Sequence, residues 1–330
     1  MRTKKLLCFL FIAFLLLAMS AAALADSLVP GGQALGIKME TAGVIVSELQ
    51  SVSTADGEKS PAADAGLMQG DIIVKLGKAE IKSAQDFISA ATALNGNKTT
   101  VTVSRDGKLR QFNLTPALCD DGSYKLGLML RDGVSGVGTL TFYDPETGVY
   151  GALGHSISDA SSGRVLPLAG GSIMSAEIKS VIPGQAGTPG ELNGDTEENS
   201  VLGDIRINCV CGIFGTADLS DENAVETGEL KTGKASIYCT VSGTEVKEYS
   251  ISVDRVSEAD GYTIAKLHVT DPELLSLTGG IVQGMSGSPI IQDGHLVGAV
   301  THVFVNDPSG GYGISIQDMV KAAENTAQAA

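Results

Sequence analysis

Residues 278–314 read TGGIVQGMSGSPIIQDGHLVGAVTHVFVNDPSGGYGI, and this stretch decides the fold class of the second half of the chain. Asp293-Gly294 separates two apolar runs, Pro289-Ile290-Ile291 and Leu296-Val297-Gly298-Ala299-Val300, with the spacing of a tight β-hairpin. Upstream, Tyr238-Cys239-Thr240-Val241 and Tyr249-Ser250-Ile251-Ser252-Val253 are short alternating runs of the same kind. Turn signals recur every ~8–12 residues, so residues 125–325 are expected to form β-barrels or a sandwich. The Gly-, Pro- and acid-rich segment 184–199 is expected to be a loop, as is 218–229.

The whole chain has 330 residues, enough for two domains at roughly 150 residues each. Its 41 glycines and 18% charged residues argue against a coiled coil or long helical bundle, and its Val and Ile content argues against disorder. A net charge of −15 speaks against nucleic-acid partners, because binding phosphates needs a basic surface. Arg2, Lys4 and Lys5 precede an apolar run over residues 6–19 and the small-residue site Ala23-Leu24-Ala25. This layout predicts a signal peptide over residues 1–25, or an uncleaved N-terminal membrane anchor, and therefore an exported chain. Beyond it stand Cys119, Cys209, Cys211 and Cys239, for which free buried thiols are expected. Export also permits a disulfide from Cys239 to Cys209 or Cys211, which would share one face of a strand. No fourth ligand at zinc spacing accompanies them, so neither metal nor cofactor is expected.

Residues 28–118 read as a smaller unit of strands and two helices. Gly43-Val44-Ile45-Val46, residues 71–76 and residues 99–103 are strand-like, and Asp106-Gly107 is a hairpin turn. Ser60-Pro61 opens a short helix, with proline where a helix tolerates it. Residues 85–94 place Phe87, Ile88, Ala91 and Leu94 on one helical face. Around Ala34-Leu35-Gly36-Ile37, backbone N–H groups beside a glycine could converge on a carboxylate, and the following strand edge could accept an extended peptide. The plainer role for that glycine is to turn the chain into a strand.

Chemistry concentrates at Gly151-Ala152-Leu153-Gly154-His155-Ser156-Ile157 and at Gly284-Met285-Ser286-Gly287-Ser288-Pro289. A serine between glycines suits acyl transfer, because a substrate carbonyl can approach closely while the N–H groups of Gly284 and Ser286 face one oxyanion. The hydroxyl needs a general base, and His155, ahead of the serine in the chain, is the candidate. His295 falls in the hairpin turn and is expected to be exposed. His268 and His302 lie in alternating β segments, where a packed or solvent-facing imidazole is expected. An ordinary Gly-Ser turn is the structural alternative for Ser286.

The stretch SPAADAGLMQGDIIVKLGKAEI, with Ala34-Leu35-Gly36-Ile37 before it, resembles a PDZ domain. The resemblance implies a module for C-terminal or internal peptides, with Leu35, Gly36 and Ile37 at the peptide. GVGTLTFYDPETGVYGALGHSISD (136–159) and the 278–314 stretch resemble the stage IV sporulation protein B (SpoIVB) serine peptidase family. That family joins a membrane-targeting segment, a PDZ domain and a serine peptidase domain in this order. The fold so implied is mainly β: an α+β PDZ domain over 28–118, then a chymotrypsin-like double β-barrel peptidase domain over 125–325. Carried over by motif, His155 is the general base, Ser286 the nucleophile and Asp271 the acid that orients the histidine. Chymotrypsin-like spacing favours Asp204 instead, since Asp271 stands only 15 residues before Ser286.

The implied activity is that of a sporulation signalling serine endopeptidase. It would cleave itself, and then a membrane-anchored regulator of an intramembrane metalloprotease, so triggering processing of the late mother-cell sigma factor. Its place would be the space between the forespore membranes, after initial attachment to one of them. A general extracytoplasmic quality-control protease and a non-catalytic PDZ scaffold are the alternatives. Proteases of the former kind usually carry the PDZ domain after the catalytic domain.

Overall fold

A computed structural model describes residues 27–159, 163–220 and 223–328, and the expected signal peptide or anchor at 1–25 lies outside them. The chain is mainly β. In the first unit, strands Ile72–Leu76, Thr99–Arg105 and Lys108–Leu114 lie side by side. Asp106 and Gly107 take φ of 55° and 67°, the positive pair that a tight hairpin of right-twisted strands requires. Helix Pro61–Asp64 starts on its proline. Helix Ala84–Leu94 begins in a capping box, where the Ser83 hydroxyl accepts from Asp86 N–H and the Asp86 carboxylate accepts from Ser83 N–H. Val44, Ile73, Phe87, Val101 and Leu114 fill the core between helices and sheet. Beside it, fully buried Asp71 accepts from Arg105 Nε and Nη2 at 2.6 and 2.7 Å.

The second unit contains a closed barrel of six strands: Gly233–Cys239, Lys247–Ala259, Tyr262–Val269, Asp307–Ser315, His295–Phe304 and Pro289–Gln292. Ile237, Tyr249, Ile251, Leu267, Ile290 and Val300 point into it. Asp293 and Gly294, at φ of 50° and 82°, make the expected hairpin. Helix Ile316–Gln328, which has no clear mark in the sequence, packs on barrel strand His295–Phe304 and on the neighbouring strands Val149–Ala152 and Gly212–Thr216, with Ile316, Met319 and Ala323 buried against Phe214, Leu296 and Ala299.

The two units share strands. Ala34–Leu49 is one strand of 16 residues. Its second half joins the PDZ-like sheet at Val44 and Ile45, beside Ile73 and Ile72. Its first half lies between two strands of the second unit, Leu128–Tyr143 on one side and Leu168–Ile182 on the other. This corrects the reading of Leu35, Gly36 and Ile37 as a peptide-binding loop. Both strand edges are already paired there, and Leu35 and Ile37 are buried. Gly36 answers a packing need, because a Cβ on it would lie 2.2 Å from Thr196 Cγ2.

Two further expectations change. The segment 184–199 is not all loop, because strand Glu191–Asp204 begins inside it and pairs with Leu168–Ile182. That strand lies at a sheet edge, where exposed polar residues such as Glu191 and Asp195 imitate loop composition. Cys209 ends strand Ile207–Cys209 and Cys211 lies in the turn before Gly212–Thr216, so the pair spans a hairpin and not a strand face. Cys119, Cys209, Cys211 and Cys239 are free thiols.

Candidate active site

Strand Val149–Ala152 delivers His155 through an unusual turn. Gly154 N–H closes onto Ala152 O at 2.9 Å, a three-residue turn centred on Leu153 with φ of 70°. A bulky residue at positive φ stores strain, about 1–3 kcal/mol, and persists only where its surroundings hold it. Here Leu153 is buried and its N–H reaches Thr139 O at 3.3 Å. Beyond the histidine, Asn208 Nδ2 donates to Ile157 O and Leu166 O, each at 2.9 Å, and Asn208 Oδ1 accepts from Ile157 N–H at 2.8 Å. One amide side chain thus fixes the loop carrying His155.

Ser286 stands in the turn before barrel strand Pro289–Gln292, and the strand Leu128–Tyr143 pins that turn. Thr139 Oγ1 donates to Gly284 O at 2.8 Å, Thr139 N–H to Ser286 O at 3.0 Å and Thr141 Oγ1 to Gly287 O at 2.8 Å. Gly287 has φ of 97°, and a Cβ on it would lie 2.1 Å from Thr139 O, so only glycine fits the close approach. The amide directions follow from carbonyls already engaged, since N–H and C=O of a trans peptide point oppositely. Met285 O accepts from Ser288 N–H and Oγ at 3.0 and 2.7 Å, which turns Ser286 N–H away from Ser288. Gln283 O accepts from Leu192 N–H at 2.9 Å, which turns Gly284 N–H away from Leu192. Neither N–H donates to another backbone carbonyl among the described residues, as an oxyanion hole requires.

His155 and Ser286 line one cleft of about 550 Å³ between the sheet and the closed barrel. Its walls are mostly apolar, with Ile37, Val137, Ile157, Ile281 and Val303 among them. His155 Nδ1 lies 2.9 Å from Ser156 O. A carbonyl only accepts, so Nδ1 carries the proton and Nε2 keeps the lone pair a general base needs. Burial pushes the His155 pKa down to about 4; the Ser156 carbonyl opposes this and neighbouring His302 adds to it. The imidazole is therefore neutral at physiological pH. The Ser286 hydroxyl donates to Thr301 O at 2.7 Å and makes no hydrogen bond to His155 in this arrangement. Rotation about χ1 is needed to present it to the base.

His302 stacks on His155 with ring centroids 4.6 Å apart and also lines the cleft, a neighbour that its strand context did not reveal. His295 is half-buried, with Nε2 3.5 Å from Glu226. The two candidate acids have other partners. Asp271 caps helix Pro272–Thr278: Oδ1 accepts from Glu273 and Leu274 N–H at 2.9 and 3.1 Å, and Oδ2 from Ser250 N–H at 3.2 Å. Asp204 accepts from Arg206 Nε at 2.7 Å and Thr216 N–H at 2.8 Å. Neither carboxylate hydrogen-bonds to His155, whose Nδ1 faces the Ser156 carbonyl. Among the described residues, no group of three or more His, Cys, Asp or Glu side chains could hold a metal ion.

Comparison with known proteins defines the class. Residues 34–115 match a PDZ domain, and residues 122–320 match the SpoIVB peptidase S55 family. The chain therefore joins a PDZ domain to a domain of a peptidase family. With well over half its length matched, the chain belongs to the SpoIVB peptidase S55 family. It is also similar to Staphylococcus aureus chains described as zinc metalloproteases, such as SA1105, at 46% identity over 59 residues. That similarity takes in 18% of this chain and 14% of the relative, so the chain spans about one seventh of those relatives' length. Among solved structures, a PDZ domain from a Listeria monocytogenes SdrC-like protein is 28% identical, over 28% of this chain and 90% of that one, with a TM-score of 0.22. An inactive form of the Mycobacterium tuberculosis protease Rv3671c is 12% identical, over 57% and 82% of the two chains, with a TM-score of 0.32.

Proposed function

We propose that Ser286 and His155 are the nucleophile and general base of a signalling endopeptidase that cleaves itself and a membrane-anchored protein. The observation that carries this reading is their position on one apolar cleft, with Nε2 of a neutral His155 free to accept a proton. Ser286 Oγ leaves Thr301 O and attacks the scissile carbonyl as its proton passes to Nε2. The carbonyl oxygen becomes an oxyanion facing the N–H groups of Gly284 and Ser286. Collapse expels the amine, which takes the proton from Nε2, and water then releases the acyl group by the same steps in reverse order. In this arrangement the Ser156 carbonyl holds the imidazole tautomer. Asp271, the acid the family resemblance assigns, would join by exchanging its helix cap for His155.

The sporulation role rests on the family and on the order of its parts. In that role the protein would work between the forespore membranes and cut a regulator of an intramembrane metalloprotease. Labelling with a fluorophosphonate tests the chemistry directly. Ser286→Ala should abolish both labelling and self-cleavage, and His155→Ala nearly so. Labelling that survives Ser286→Ala would reject the assignment. Asp271→Asn, beside Asp204→Asn, tests the acid: a loss of about 10³-fold or more confined to one variant identifies it.

A further inference from the structure

Strands Ile207–Cys209 and Gly212–Thr216 meet in a two-residue turn, Val210-Cys211, so a C-x-C pair sits at the tip of one hairpin. Cys209 is half-buried beside exposed Val210, whereas Cys211 is buried in one cluster with Phe214, Ile316 and Met319. The Cys211 thiol donates to the Cys209 sulfur, which also faces the N–H groups of Cys211 and Gly212. Against the opposing effect of burial, these donors hold the Cys209 thiol below its ordinary pKa. Its bond to Cys209, its burial and the Cys209 charge together push the Cys211 thiol up. One sulfur is thus a nucleophile within reach of solvent, and the other is a protonated neighbour in contact with it. Cys239, by contrast, is fully buried, and burial pushes its pKa up to about 12.

The flanks of this tip hold both sides of the turn that carries His155. Asn208, just before Cys209, bonds Ile157 and Leu166 through its side-chain amide. Gly212, just after Cys211, has φ of 140°, and a Cβ on it would stand 2.5 Å from Ala152 O and 3.3 Å from Gly154 N. Residues 208–212 therefore bracket His155 from Ala152 to Ile157, and Gly212 has no slack in which the tip could change shape alone. Residues two apart lie at most about 7 Å apart at Cα, and a turn brings them into the span of a disulfide. The sulfurs must still close from hydrogen-bond contact to about 2.0 Å. That closure takes Cys209 from its N–H donors, draws Cys211 out of its apolar cluster and moves the backbone on either side.

We infer that Cys209 and Cys211 form a redox-modification site, closed into a disulfide by exchange with a low-molecular-weight disulfide, and that this closure displaces the loop carrying His155. The consequence for catalysis rests on the peptidase reading above. The Cys209 thiolate attacks one sulfur of the donor, whose S–S bond breaks and releases a thiolate. Loss of the Cys209 charge removes part of what kept Cys211 protonated. Cys211 then gives its proton to the released thiolate and attacks the Cys209 sulfur of the mixed disulfide, expelling the second half of the donor as a thiolate. Two thiols are oxidised to one disulfide, and the donor disulfide is reduced to two thiols.

The test incubates the purified full-length protein with glutathione disulfide. Trypsin releases residues 207–231, which contain both cysteines and no other, and this peptide should lose two hydrogens and regain them with dithiothreitol. Amide exchange over residues 152–157 should quicken in the oxidised protein. Fluorophosphonate labelling of Ser286 should slow by about tenfold or more, since a misplacement of about 1 Å at a reacting group can cost about 10²-fold. Cys211→Ala should stop at a mixed disulfide on Cys209, and Cys209→Ser should label equally fast with and without glutathione disulfide. A peptide 207–231 that stays reduced, or a Cys211 that reacts as fast in Cys209→Ser, would overturn the inference. So would an oxidised protein whose exchange over 152–157, or whose labelling rate, matches that of the reduced one. A reduced protein that never labels at Ser286 would reject the peptidase reading alone, because the mass and exchange measurements do not use Ser286.

Discussion

Replacing Thr139 by valine removes one hydroxyl and leaves the shape of the side chain almost unchanged. In the folded protein that hydroxyl is the partner of Gly284 O, at 2.8 Å, in a buried turn. Its loss leaves a buried carbonyl without a partner, which costs about 1–3 kcal/mol. The main-chain contact from Thr139 N–H to Ser286 O does not depend on the side chain and survives, so the turn should loosen without unfolding. If the freed turn must be restored to reach the transition state, the same energy appears in the barrier, a loss of roughly 5–150-fold. The measurement is the second-order labelling rate of Ser286 with a fluorophosphonate, with thermal unfolding followed in parallel. Thr139→Ser keeps a hydroxyl and should recover most of the rate. A folded Thr139→Val that labels within about twofold of the wild type would refute the view that this contact positions the nucleophile, since even the smallest cost above exceeds that.

Four further expectations follow from the same geometry. His155 works as a base only when neutral, and its pKa is pushed down to about 4, so kcat/KM should hold as pH falls through 6 and decline near pH 4–5. An acid limb at about 6.5, the ordinary imidazole value, would show that the working site is wetter than described. The same depression makes the unfolded chain take up a proton that the folded one refuses, so stability should fall as pH drops from about 6.5 towards 4. Gly287→Ala should abolish labelling, because its Cβ would collide with Thr139 O, whereas Gly294→Ala, with nothing within 4 Å, should remain active; similar activities in the two would count against the close approach. Arg105→Ala should cost roughly 3–5 kcal/mol in a denaturant titration by stranding fully buried Asp71; a loss under about 1 kcal/mol would mean that water reaches the carboxylate.

Local chemistry was legible in the sequence wherever one short segment contains its own explanation. Asp106-Gly107 and Asp293-Gly294 can make tight hairpins without help, and Ser83 and Asp86 cap their own helix. The serine between glycines and the histidine after Gly154 likewise announce a crowded turn, and both line the cleft. What escaped depends on partners far along the chain. Thr139 and Thr141 look like ordinary strand residues until Gly284 and Gly287 are brought against them. Asn208 has no local mark of its hold on Ile157 and Leu166. Ala34-Leu35-Gly36-Ile37 resembles a peptide-binding loop in isolation, yet both edges are taken by strands that begin at least 90 residues later. The orienting acid is hidden for a related reason, since a carboxylate that caps a helix and one that serves a histidine have the same sequence.

The pairing of Ala34–Leu49 has a consequence for how the molecule must be made. Residues 34–40 cannot complete their sheet until 133–139 and 168–175 exist. During synthesis a long segment therefore waits with strand edges unsatisfied, and the loop-closure entropy of those distant pairings is met late. The PDZ-like half gains a finished N-terminal strand only when the peptidase half supplies its neighbours. Assembly of the catalytic turns and completion of the recognition module then become one cooperative event, and a chain truncated after residue 120 would lack both partner strands of its own first β segment.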